Sequence, residues 1–284
     1  MKYARKNITD ISSIKNKKQQ KNKWRKYSIF FSFIKIDIIS LYIEIIMKIL
    51  YLFIFLNEII KSFCLININI GTTGLLIPYT IGALGYIKKN LNINDYHLTG
   101  ISGGSFASVI YRLENDLSNH DLIWDKLIGN DKYNIKINRN LEEFQQIIKY
   151  NIMNNYKNVD IDNIPISIVV SRINKLKIIN EKISKFKSLE ELLDYCICSS
   201  YIPYISGNTF SKKYKNNNYI DGGIFKNLHH FDCVDKCERT IYIHKNMANR
   251  IFDYKDYFYL DKDISKKLFN YGWDDCEKIY NSYL

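Results

Sequence analysis

The 284-residue chain is poor in the residues that interrupt regular structure. It contains three prolines and twelve glycines, which excludes a proline-rich linker protein. Its six cysteines are too few for a disulfide scaffold. Neither Cys196-Ile-Cys198 nor the Cys233–Cys237 pair is followed by the second pair of ligands that a zinc site requires, so we predict no metal centre. Free thiols of this kind are typical of a reducing compartment.

The sequence also lacks a long uncharged apolar run. Residues 28–60 are strongly apolar, but charged residues interrupt them at Lys35, Asp37, Glu44, Lys48 and Glu58. No window of eighteen uncharged residues remains, which argues against a simple transmembrane helix. Three interpretations stay open for this segment: an amphipathic helix at a membrane surface, a helix packed on the domain, or a signal peptide or span within residues 47–60.

The net charge of +12 is distributed unevenly along the chain. Residues 1–27 contain ten lysines and arginines and one acid, so they carry +9, and residues 28–284 carry only +3. A basic tail beside a nearly neutral body is not typical of a nucleic-acid-binding domain, and we expect no nucleic-acid partner. A basic cluster next to an apolar segment favours anionic lipid. We therefore predict a membrane-associating basic arm and helix over 1–62 and one domain over 63–284.

The glycines are concentrated where backbone freedom is needed. Seven of the twelve lie between residues 71 and 104, and two more form Gly222-Gly223. The first cluster begins with an apolar strand over 63–70, continues through Gly71-Thr72-Thr73-Gly74, and leads into an apolar helix with Pro78 in its first turn. This strand–turn–helix presents free amides and the positive end of a helix dipole. An ordinary βα turn is the alternative.

A second turn has the sequence Gly100-Ile-Ser102-Gly103-Gly104, between a strand that includes His97 and an apolar helix. This is the context of a nucleophile elbow, which holds a serine on a strained turn so that its hydroxyl projects from the sheet. Gly100 and Gly104 would remove side chains where strand and helix collide, and the Gly103 amide can point at a developing oxyanion. The alternative is a glycine-rich turn with an N-capping serine.

A serine nucleophile needs a base. His97 precedes Ser102 on its own strand, His120 lies in a polar loop, and the late histidines His229, His230 and His244 have no evident Asp partner motif. We interpret all five as surface or packed residues. Asp221 is the stronger candidate, because it ends a short strand and precedes Gly222-Gly223, which leave its carboxylate unobstructed. A β-turn aspartate is the alternative.

Together these motifs resemble the patatin-like phospholipases, which are lipid acyl hydrolases with a Ser-Asp dyad and no catalytic histidine. Gly-x-Ser-x-Gly is followed by Asp-Gly-Gly, and Ser102 and Asp221 are 119 residues apart. The segment 196–207 is similar to the small-residue segment of that family that ends in Ile-Pro, and the resemblance covers about residues 63–246. It implies a three-layer α/β fold, related to the α/β-hydrolases, with a central, mostly parallel sheet flanked by helices.

The resemblance also implies an activity. Fatty-acyl esters of phospholipids or neutral lipids would be cleaved, as by a phospholipase A or lysophospholipase, through Ser102, Asp221 and an acyl-enzyme, with no cofactor. Backbone amides of Thr72, Thr73, Gly74 and Gly103 would stabilise the oxyanion, and Thr72 stands where the family usually has glycine. An acyltransferase with the same dyad, or a non-catalytic membrane-binding homologue, are the alternatives. We expect a membrane-associated, intracellular protein, with the secretory or spanning interpretation of 47–60 still open.

Overall fold

A computed structural model describes most of the second predicted segment and little of the first. The described residues are 46–51, 65–91, 93, 95–129, 135–161, 163–175, 177–224 and 237–281. The chain divides into two compact units, Met1–Ser62 and Phe63–Leu284. The basic arm and most of the apolar segment 28–60 lie outside the described residues, as do His229 and His230.

In the first unit, residues 46–51 are helical, and we label this helix α1. Its five apolar side chains are between 44% and 66% exposed: Ile46, Met47, Ile49, Leu50 and Tyr51. Within the described ranges, no helix has the length and apolar character needed to cross a bilayer.

The second unit contains nine strands and seven helices among its described residues. The strands are β1 (Leu65–Ile70), β2 (Tyr96–Ile101), β3 (Ile135–Lys136), β4 (Ile166–Asn174), β5 (Lys177–Ile183), β6 (Lys212–Tyr214), β7 (Asn217–Ile220), β8 (Cys237–Ile243) and β9 (Tyr259–Leu260). The helices are α2 (Ile77–Asn90), α3 (Gly103–Leu113), α4 (His120–Leu127), α5 (Ile137–Asn155), α6 (Leu189–Ser199), α7 (Tyr254–Phe258) and α8 (Lys262–Asn281).

Seven of the strands form one sheet in the order β6-β7-β4-β2-β1-β8, with β5 also paired to β4. The central strands β8, β1, β2 and β4 are parallel, whereas β5, β6 and β7 pair antiparallel. Consecutive residues of β1, β2 and β4 are buried, so helices cover both faces of the sheet. The predicted three-layer α/β fold is confirmed, and its sheet is parallel at the centre and antiparallel at one side.

The strand β4 brings two distant strand ends together. It pairs with β2 through residues 166–169, with β7 through 171–173, and with β5 through 168–174. Because β5 occupies one edge along this whole length, β2 and β7 must share the other edge, end to end. β2 runs parallel to β4 and β7 runs antiparallel, so the carboxyl ends of β2 and β7 face each other. The residues that follow these two ends are Ser102 and Asp221.

The last helix, α8, packs tightly on α2. A Cβ atom at Gly82 would lie 2.0 Å from the carbonyl oxygen of Phe269, and one at Gly272 would lie 1.8 Å from that of Tyr79. The two backbones are therefore in direct contact, which only glycine permits at these positions. Tyr79 also donates a hydrogen bond of 3.0 Å from its hydroxyl to the buried Asp275 carboxylate. Helix α2, which begins just after the turn 71–76, is thus fixed in the core.

Candidate active site

Ser102 occupies a strained turn between β2 and α3. Its backbone angles are φ 57° and ψ −131°, a conformation that residues other than glycine rarely adopt. The turn is sharp because α3 begins at the very next residue, Gly103. The serine side chain therefore projects from the end of the sheet, as the elbow motif predicts.

The glycines around Ser102 are required by close backbone contacts. A Cβ at Gly104 would lie 2.4 Å from the carbonyl oxygen of Gly71, and one at Gly100 would lie 2.5 Å from the Cα of Ser105. A side chain at Gly100 would push α3 away from β2, and one at Gly104 would push α3 away from the end of β1. Glycine at both positions thus allows α3 to pack closely against β1 and β2.

Asp221 meets Ser102 across the gap between the facing ends of β2 and β7. The Ser102 hydroxyl donates a hydrogen bond of 2.5 Å to Asp221 Oδ2. The other carboxylate oxygen, Oδ1, accepts a hydrogen bond of 2.8 Å from the backbone N–H of Gly223. The backbone N–H of Asp221 donates to the carbonyl of Tyr201 at 2.8 Å. Each carboxylate oxygen therefore accepts one hydrogen bond, and Oδ2 is the one that faces the serine.

Burial of the site raises the pKa of the Asp221 carboxyl. Ser102 and Asp221 are each 4% exposed. Burial raises the pKa of Asp221 to about 6, and the hydrogen bonds from Ser102 and Gly223 oppose that rise. The carboxylate is therefore ionised at neutral pH, yet it is a much stronger base than an exposed aspartate. A pKa close to the working pH suits a group that must take up and return a proton.

Ser199, which the sequence does not identify as a site residue, ties the two halves of the dyad to β4. The backbone N–H of Ser102 donates to Ser199 Oγ at 2.8 Å, and that hydroxyl donates to the carbonyl of Val169 at 2.6 Å. The backbone N–H of Gly222 donates to the carbonyl of Ser199 at 2.8 Å. A Cβ at Gly222 would lie 2.2 Å from the Val169 carbonyl, so this position must be glycine. Ser199 thus links the turns of Ser102 and Asp221 to the same strand.

The predicted oxyanion loop lies against both catalytic turns. A Cβ at Gly103 would lie 2.5 Å from Thr73 Oγ1, and one at Gly223 would lie 2.0 Å from Thr72 Cγ2. Gly74 has a φ of +54°, whereas Thr72 is not among the described residues with positive φ. Thr72 therefore does not carry the strain that a positive φ imposes on a β-branched residue. Thr73 is buried, and its hydroxyl has no hydrogen-bond partner among the described residues.

The hydrogen bonds described for three histidines involve neither Ser102 nor Asp221, and His120 Nδ1 lies 3.0 Å from Asp121 Oδ1. His97 Nε2 is hydrogen-bonded to Ser167 Oγ at 2.7 Å, and His120 Nε2 to Ser265 Oγ at 2.8 Å. His244 Nδ1 accepts from the backbone N–H of Asn246 at 3.1 Å. Burial and, to a smaller extent, the charge of the nearby Lys182 lower the pKa of His97 to about 4, so its ring is neutral at physiological pH.

Two cavities lie next to each other beside the dyad. The first is lined by Ser102, Gly103 and Gly74 together with Gln145 and apolar residues of α5. The second is almost wholly apolar, with His120 and Ser265 as its polar lining, and it shares Ile77, Phe144 and Ile148 with the first. A small apolar cavity therefore lies behind the one that Ser102 lines.

Comparisons with known proteins add little to this geometry. No protein-family model matches the chain, and no curated protein matches it. Among solved structures, the crystal structure of VipD from Legionella pneumophila is similar, with a TM-score of 0.41 and 12% sequence identity over 62% of this chain and 49% of that one. The chain thus spans about half the length of that structure. A likeness of this size says nothing about activity, which must be inferred from the site itself.

Proposed function

We propose that the chain is a lipid acyl hydrolase with Ser102 as nucleophile and Asp221 as general base. The hydrogen bond of 2.5 Å from Ser102 Oγ to Asp221 Oδ2 carries this proposal. A serine hydroxyl is a weak nucleophile at neutral pH and becomes reactive when a base within hydrogen-bond reach can take its proton. The strained turn, the burial of both groups and the raised pKa of Asp221 are all features of a reactive site rather than of a structural one.

The first half of the reaction forms an acyl-enzyme. Ser102 Oγ attacks the ester carbonyl carbon while its proton passes to Asp221 Oδ2, and the carbonyl oxygen becomes an oxyanion. Asp221 then gives that proton to the alkoxide as the carbon–oxygen bond to the alcohol breaks. In the second half, a water molecule loses a proton to Asp221 and attacks the acyl carbon. Release of the fatty acid returns the proton to Ser102.

The oxyanion would be stabilised at the amino-terminal end of α3. Gly103 is the first residue of that helix, where free N–H groups and the positive end of the dipole attract negative charge. We propose that the Gly103 amide and the amides of Thr72, Thr73 and Gly74 are the donors. The buried, unpartnered hydroxyl of Thr73, next to Gly103, is placed to add a further donor.

The direct test combines covalent labelling with product analysis. A fluorophosphonate probe should label the intact protein at Ser102, and the protein should release fatty acid from mixed phospholipid vesicles. Labelling without fatty-acid release would show a reactive serine with a different substrate. The absence of both in a folded sample would contradict the proposal.

The apolar cavity behind the dyad supports a fatty-acyl substrate and leads to a prediction. Ile81 lines that cavity on α2, and Leu84, on the same helix, is fully buried outside the cavities described. Ile81→Phe should obstruct this small cavity and lower the rate ratio between sixteen- and eight-carbon acyl esters by about tenfold, because the distal part of the longer chain must enlarge the cavity to enter it. Leu84→Phe introduces the same overpacking outside the cavity and should leave this ratio unchanged. An equal loss of rate for both chain lengths in Ile81→Phe would contradict the assignment of this cavity to the acyl chain.

We also propose that the basic arm and the exposed apolar helix α1 bring the protein to anionic membranes. Each lysine near such a surface contributes about 1 kcal/mol. Replacing five arm lysines by glutamine should therefore weaken binding to phosphatidylserine-containing vesicles by about 5 kcal/mol, or roughly three to four orders of magnitude. Those residues are Lys15, Lys17, Lys18, Lys21 and Lys23.

Co-sedimentation of the full chain with vesicles measures this effect. The matched control replaces five exposed lysines of the second unit, which are Lys157, Lys177, Lys185, Lys213 and Lys255. Equal losses from both sets would show that net charge, and not the arm, determines binding.

A further inference from the structure

Gln145 is a buried amide in the wall of the Ser102 cavity. It lies on α5, is 3% exposed, and lines the same cavity as Ser102, Gly103 and Gly74. Its neighbours along the helix that line this cavity are apolar, namely Leu141, Phe144 and Ile148. A polar side chain at such a position needs hydrogen-bond partners for both ends of its amide.

The orientation of the Gln145 amide is fixed by Ser200, at the end of α6. Gln145 Nε2 donates to the carbonyl oxygen of Ser200 at 3.2 Å and to Ser200 Oγ at 2.9 Å. Ser200 Oγ donates its own proton to the carbonyl of Cys196 at 2.8 Å, so it can only accept from Gln145. The Ser200 carbonyl can only accept, so a flipped amide would place two acceptor oxygens about 3.2 Å apart and lose that bond.

The oxygen of the same amide, Gln145 Oε1, has no hydrogen-bond partner among the described residues. A buried acceptor without a donor is costly to the fold, and native proteins keep few of them. In the wall of a reaction cavity, the missing donor can be supplied by the substrate. An acyl chain and an ester linkage carry no donor, so the donor must belong to the alcohol portion of the substrate.

We propose that Gln145 Oε1 accepts a hydrogen bond from a free hydroxyl of the substrate, close to the scissile ester. The site then selects monoacyl glycerolipids, whose glycerol carries such a hydroxyl, over esters that lack one. This inference rests on the proposed function and adds the substrate class to it. Gln145 contacts the substrate in this assignment and determines specificity without taking part in proton transfer.

The test changes the hydroxyl on the lipid and the acceptor on the protein. The probes are 1-hexanoyl-lysophosphatidylcholine, which is short enough to stay monomeric, and its 2-deoxy analogue. Affinity for both is measured with the full-length Ser102→Ala protein, which cannot turn them over, and kcat/KM is measured with the protein that retains Ser102. We expect the hydroxyl lipid to be preferred by about tenfold in both measurements. Gln145→Met should bring both ratios close to one, with little change for the deoxy lipid.

Gln146→Met is the matched control, because Gln146 is the exposed neighbour on the same helix. Its ratios should equal those of the unaltered protein. Equal losses for both lipids in Gln145→Met would show a structural or water-positioning role and overturn the assignment. A lack of preference for the hydroxyl lipid before any change at Gln145 would also overturn it, even if the variant failed to fold. A binding preference without hydrolysis would leave the assignment standing and contradict the proposed function instead.

Discussion

Asp221→Asn should reduce fatty-acid release by about a hundred- to ten-thousandfold, the usual range for loss of a general base. Asparagine has nearly the same shape, and its Oδ1 can still accept the hydrogen bond from Gly223 that Asp221 accepts at 2.8 Å. Its Nδ2 faces Ser102 but cannot take a proton. The variant therefore keeps the geometry and removes only the basicity. Initial rates on phospholipid vesicles measure the loss, and a rate above about a tenth of the original would contradict the role of Asp221 as base.

The same carboxylate sets the pH dependence of the unaltered protein. Because the pKa of Asp221 is raised to about 6, the base is protonated and inactive below that pH. We expect kcat/KM to rise tenfold per pH unit on the acidic side and to level off above about pH 7. A midpoint near pH 4 would show that Asp221 titrates like an exposed aspartate and that its burial is not maintained in solution.

Asp221→Asn should also make the fold more stable at neutral pH. The folded-state pKa of about 6 lies above the ordinary aspartate value of 3.8, so the folded protein holds the proton between these two pH values and the unfolded chain does not. Stability is therefore highest below about pH 4 for this group and falls as the pH rises through 6. The shift corresponds to on the order of 2–3 kcal/mol. A denaturant titration at pH 7.5 that shows Asp221→Asn less stable would contradict this account.

Ser102→Ala is expected to have the largest effect on turnover, with a loss of about 10⁵-fold or more and no labelling by a fluorophosphonate probe. Alanine removes the nucleophilic oxygen and leaves the strained backbone at φ 57° unchanged. Ser108→Ala is the matched control, since Ser108 is a fully buried serine of α3 whose hydroxyl donates to the Gly104 carbonyl at 2.9 Å. That variant should keep most of the activity. Labelling that persists in Ser102→Ala would show that another residue is the nucleophile.

The sequence contains enough information to locate the two dyad residues. Gly-x-Ser-x-Gly between an apolar strand and helix marks a turn that few other residue combinations allow, and it places Ser102 after β2. The scarcity of glycine elsewhere makes Gly222-Gly223 equally visible beside Asp221. Local backbone requirements of this kind can be predicted from the residue types, because they depend on neighbours in the sequence.

Other parts of the site depend on contacts between distant segments and leave no local signal. Ser199 bonds the Ser102 backbone, and Gln145 reaches Ser200 from another helix. Neither residue differs in the sequence from a serine or glutamine on any amphipathic helix. The antiparallel direction of β7 was also not predicted, because the short strand 217–220 has no feature that specifies its partner. Tertiary pairing decides such features.

The end-to-end placement of β2 and β7 has a consequence for the newly made protein. Ser102 leaves the ribosome 119 residues ahead of Asp221, which at 5–20 residues per second is about 6–24 s. Throughout that interval the nascent chain carries a serine with no base beside it. Reactivity toward esters can begin only after the hairpin of β6 and β7 has docked on β4. A reactive Ser102 therefore shows that β2, β4 and the β6–β7 hairpin have come together, whether or not β8 has yet paired with β1.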